Sequence, residues 1–165
     1  MAIQHRHDLL REGIFTGILG AIAVAGWFLV IDALQGRLLA TPSVLGQVIL
    51  FNNPNPVVTP VQTGPIVAYT LLHVGAFIGF GIAITHLVHL AMYSPLVRFA
   101  LMIVAVVFEL FFFMVTYALF TGTSSLFPWW SVLAANTLSL LAMGFYLMRR
   151  HPGLKRQFQR EPLGA

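Results

Sequence analysis

The residue best placed to do chemistry is Glu109, the lone charge in the run FALMIVAVVFELFFFMVTYALF from Phe99 to Phe120. Twenty-two apolar residues are enough to cross the hydrocarbon core of a bilayer as a helix. A carboxylate there costs several kcal/mol unless something satisfies it. At about 1.5 Å of rise per residue, Glu109 falls roughly 16 Å from the membrane edge on the side of the chain termini and Asn136, on the last apolar run, roughly 20 Å from the same edge. Thr116 shares the face of Glu109, and Ser139 lies on the side of Asn136. An amide can donate to a carboxyl group and accept from it. Glu109, Asn136, Thr116 and Ser139 are therefore expected to form an intramembrane polar cluster. Its job is either to glue helices together or to carry a proton or ion.

Asp32 and His73 make a second candidate pair, at matching depth towards the opposite end of their helices. An Asp beside a His is a common catalytic and sensing arrangement. Hydration of Asp32 at a membrane edge is the blander alternative. His86 and His89 share a helix face near the other edge, and His5 and His7 on the N-terminal tail could approach them. Their number would suffice for zinc or copper. No ligand spacing marks them, however, and no cofactor is expected.

Much chemistry is excluded. The chain has no cysteine, which removes disulfides, thiolate metal sites and cysteine nucleophiles. Gly13 to Gly20 lack the Lys and Ser/Thr of a phosphate-binding loop. A self-contained bis-His haem needs histidines on two facing helices, and three of the four apolar runs have none. The sequence carries no signature of an enzyme.

Composition sets the elements that hold these residues. Of 165 residues, 58% are hydrophobic and 8% charged, against roughly 25% charged in a typical soluble domain. Lipid is the solvent that suits such a surface. The expected fold is all-α: a single transmembrane domain, residues 1–165, built as an integral membrane four-helix bundle. Its spans are 12–33, 66–91, 98–120 and 126–148. A first external loop, 34–65, contains a short interfacial helix over Ser43–Phe51, led in by Thr41 as N-cap and Pro42. A basic tail, 149–165, ends the chain. Residues 13–31 exceed the roughly 7–15 apolar residues of a signal peptide, so the first span is expected to be retained.

Small residues predict how the spans pack. Gly13, Gly17, Ala21 and Ala25 recur every four residues on the first span, and Gly75, Gly79 and Ala83 do so on the second. Such rows let helix backbones approach closely in lipid. Spans 1 and 2 are therefore expected to meet along these two stripes.

Eight of the nine Lys and Arg residues lie in the two tails and the loop between spans 2 and 3, leaving Arg37 alone. The positive-inside rule then puts both termini in the cytoplasm, in a plasma membrane of bacterial type. No basic groove interleaved with aromatics points to nucleic acid. The partners expected are the lipid bilayer and other membrane subunits or a second copy of the chain. The leading functional expectation is a structural or accessory subunit; the alternative is a small proton or ion transporter using Glu109.

Overall fold

The computed structural model of the protein describes residues 2–119, 128–153 and 156, with side chains except those of residues 2–7, Pro95, Thr116 and Leu119. Five helices order the described residues: α1 Ala2–Leu34, α2 Ala40–Ile49, α3 Thr63–Ala91, α4 Pro95–Leu119 and α5 Trp129–Arg150. No strand occurs among the described residues. Four of the helices, all but α2, are long and apolar enough to cross a membrane.

Glu12 reaches both His89 and His151, while Trp27 reaches Ser131. Hence α3 and α5 both run antiparallel to α1. The start of α1, the end of α3, the start of α4 and the end of α5 share one end of the bundle, the Glu12 end. The opposite, Asp32 end carries α2 and its flanking loops.

The helix boundaries differ from the sequence expectation in instructive ways. α1 begins ten residues before the expected span, because AIQHRHDLLRE contains no Gly or Pro to stop a helix. α4 starts at Pro95 itself, a residue tolerated at a first helical position because its missing N–H has no partner there anyway. The expected boundaries at 120 and 126 fall outside the described residues.

α1 ends in a Schellman turn. Gly36 takes a left-handed φ of 66°, its N–H bonds to Ala33 O, and Arg37 N–H bonds to Asp32 O at 2.9 Å. The short helix that follows is Ala40–Ile49, three residues earlier than expected at its start, with Leu39 rather than Thr41 in the N-cap position.

α1 and α3 make the broadest contact, followed by α1 with α5 and α2 with α3. The α1–α3 seam is a glycine crossing. A Cβ at Gly13 would stand 2.6 Å from Ile82 Cα, and one at Gly17 would collide with the backbone of Phe77 and Ile78. On α3 the complementary residue is Gly81, whose Cβ would strike the backbone of Gly13 and Gly17. Gly75 and Gly79 instead face open space, Ala83 is exposed, and on α1 Ala25 is exposed as well. The seam on α3 is thus Phe77, Gly81 and Thr85, all buried, not the row Gly75, Gly79 and Ala83.

The core continues from this seam. Ala21, Val24, Phe77, Phe108 and Ala135 form its buried centre. α4 joins it through Phe108, whose ring meets Phe80 at 4.5 Å and Phe112 at 4.8 Å between centroids. Otherwise α4 is the least covered long helix. Only 11% of its apolar stretch is buried, against 28% for α1 and 33% for α5.

Candidate functional sites

Glu109 lies on α4 where that helix passes α5. Its Oε1 accepts a hydrogen bond from Thr137 Oγ1 at 3.2 Å. The neighbouring Asn136 amide is within electrostatic reach of the same carboxyl, yet Asn136 Nδ2 is buried and makes no hydrogen bond of its own. Ser139 is not in this group: it donates to Met143 Sδ at 3.7 Å and stands against Gly20 of α1. The Thr116 side chain lies outside the described residues.

The reason for the different partner is helical phase. Asn136 turns inward and is 4% exposed, while Thr137, about 100° further round, is exposed on the side α4 occupies. The Glu109–Thr137 bond therefore runs along the outside of the bundle. Around it Val106, Leu110, Phe113, Met114 and Tyr117 are all exposed.

At the Asp32 end, Asp32 is completely buried. It does not bond to His73. Its two oxygens accept from Thr41 N–H at 2.7 Å and Thr41 Oγ1 at 2.8 Å. This is a helix cap supplied from a distance. Of the first N–H groups of α2, Ala40 bonds to Arg37 O, Thr41 bonds to Asp32, Pro42 has none, and Ser43 bonds to Leu39 O. The start of α2 is fully satisfied although its N-cap side chain, Leu39, can offer nothing.

His73 turns the other way. Its Nε2 bonds to Ala21 O at 3.2 Å, and since a carbonyl only accepts, Nε2 carries the proton. Its ring stacks on Tyr69 and tilts against Phe77. Asp32 and His73 do share one feature, an apolar cavity of about 420 Å³ between α1, α2 and α3.

α2 in turn fixes the loop beyond it. Buried Gln47 donates to Val57 O at 2.8 Å and accepts from Val57 N–H at 2.8 Å, while Ser43 Oγ accepts from Gln62 N–H. The proline-rich stretch is irregular but anchored.

At the Glu12 end a third group appears. Glu12 Oε2 lies 3.2 Å from His89 Nε2, and Glu12 Oε1 lies 2.8 Å from His151 Nε2. The two imidazoles meet edge to face, 4.8 Å between centroids. His86, three residues before His89, is exposed and takes no part, and the His5 and His7 side chains lie outside the described residues. Of the histidines singled out from sequence, His89 alone is in this cluster. Glu12 and His151 were missed. The signal was available: each lies within about a turn of the same expected membrane edge as His89.

No family model, curated protein or solved structure matches the chain.

Proposed function

We propose that the protein is a multi-pass membrane subunit whose α4–α5 face is completed by another transmembrane helix, in a second copy or in a larger complex. One observation carries the reading: the Glu109–Thr137 pair lies inside an apolar span but on the open side of the bundle. A half-buried carboxyl group held by Thr137, with the Asn136 amide nearby, still has acceptor capacity unmet, and leaving it against hydrocarbon costs several kcal/mol. A neighbouring helix with a donor or acceptor at that depth removes the cost. The thin attachment of α4 supports the same reading. The distribution of Lys and Arg supports placing the Glu12 end, with both chain termini, on the cytoplasmic side.

The Glu109 series tests this. Wild-type protein extracted in mild detergent should run as an assembly by native mass spectrometry. Glu109→Gln, which keeps size and hydrogen bonding, should preserve it, and Glu109→Leu should release monomer. A wild-type chain that is monomeric and brings no partner would overturn the reading. So would proton flux in liposomes that Glu109→Gln abolishes, because the carboxyl would then be a carrier.

A further inference from the structure

We propose that Glu12, His89 and His151 form a binding site for a divalent first-row transition metal. Each ligand comes from a different helix: Glu12 from α1, His89 from the last turn of α3, and His151 from the C-cap of α5. The three residues are far apart in sequence, 77 positions between Glu12 and His89 and 139 between Glu12 and His151. Only the fold brings them together.

The geometry is that of a metal site with protons where the ion would be. One ligand atom from each residue can be chosen so that all three lie within 4.8 Å of one another. Ligands bound to a common ion at about 2.0–2.1 Å stand roughly 2.9–3.4 Å apart. Of the two Glu–His separations, each to a different oxygen of Glu12, 3.2 Å falls inside that range and 2.8 Å just below it. A carboxylate can only accept, so in the metal-free arrangement each Nε2 must carry a proton. Shifting that proton to Nδ1 frees both Nε2 lone pairs, and a modest rotation of the two rings lets them converge on one ion beside the carboxylate.

The supports are fixed. His151 N–H bonds to Leu147 O at 2.9 Å, which pins the end of α5. Glu12 O accepts from Thr16 Oγ1 at 2.8 Å on the buried face of α1. All three side chains are mostly shielded, between 14% and 27% exposed. This is more than a surface ion pair needs, because an ion pair takes one partner for Glu12 and here two imidazoles converge on it.

The ligand set selects the class of ion. Two imidazoles and one carboxylate suit Zn²⁺, Fe²⁺ or Co²⁺, whereas Mg²⁺ and Ca²⁺ ask for oxygen throughout. Three protein ligands leave a coordination position open. Two of the three ligands, Glu12 and His151, also line a cleft of about 750 Å³, together with Asp8, Arg11, Tyr146 and Arg150 among others. The guanidinium groups there suit water, hydroxide or a small anion as the fourth ligand.

The test uses full-length protein in detergent, purified without a polyhistidine tag, treated with chelator and titrated with Co²⁺. Visible absorption should rise to saturation at one equivalent per chain and be displaced by Zn²⁺. His89→Ala and His151→Gln should each weaken binding by at least about 100-fold, since removing a ligand should cost no less than the 10–100-fold known for its outer supports. His86→Ala, at an exposed position on the same helix, should bind like wild type. The proposal is overturned if wild type shows no saturation at one equivalent, or if the His89→Ala, His151→Gln double variant binds unchanged. Equal loss in His86→Ala would overturn this ligand set. The wild-type titration decides even where a variant fails to fold.

Discussion

At the residue scale, Asp32 shows how the purpose of a polar side chain can escape the sequence. Its position at the end of an apolar run suggested a hydrated acid or a partner for His73. Instead it is buried and holds the first turn of α2 through Thr41. The chain must reverse within a few residues for this to happen, and the Schellman turn at Gly36 makes the reversal. An acid near a helix N-terminus also gains from the helix dipole. Asp32→Ala should therefore cost about 2 kcal/mol, within the range for leaving a buried backbone donor unsatisfied. Asp32→Asn keeps one acceptor and should cost less, as should Thr41→Val, which keeps the backbone bond. Thermal melts in detergent check the order. Equal losses for Asp32→Ala and Asp32→Asn would mean that the cap contributes little. The Glu12 group carries the complementary lesson. Glu12, His89 and His151 share a depth that the sequence shows, but which of the polar residues near that edge converge is set by helix phase, which turns His89 inward and His86 outward.

At the element scale, the decisive feature is which face of α3 meets α1. The row on α1 was legible in part: Gly13, Gly17 and Ala21 are buried, and the two glycines touch α3 backbone directly, while Ala25, the fourth member, is exposed. The row on α3 was not, because counting small residues favours Gly75, Gly79 and Ala83. The crossing needs only one small residue, Gly81, set between Gly13 and Gly17. Gly79 and Gly81 are about 200° apart around a helix, so the choice turns α3 nearly back to front. Gly81→Leu should accordingly disrupt the bundle, exceeding the roughly 1–3 kcal/mol typical of overpacking because the clash is with backbone. Gly79→Leu, facing open space, should be close to neutral. Melting temperature and detergent-resistant folding distinguish the two, and a larger effect at Gly79 would contradict this seam.

At the scale of the whole molecule, the helical class and the number of long apolar helices followed from composition and run length, since roughly 20 apolar residues in a row have few other uses. The covering of each helix did not follow, because hydrocarbon-facing and protein-facing positions are equally apolar. The structure accordingly sets α4, the most apolar of the four, at the edge, anchored to the core through Phe108 and Phe112. The central claim is that a further helix covers this edge. The chain has no cysteine, so a single introduced one reports without ambiguity. Cysteine at Leu110 or Met114, 58% and 69% exposed on α4, should cross-link to a partner in native membranes. Cysteine at Ile22 of α1 or Leu71 of α3, 62% and 70% exposed on other faces, should not. Cross-linking confined to α4 is the predicted result; a bare α4 face, or cross-linking at Ile22 or Leu71 instead, would contradict the account.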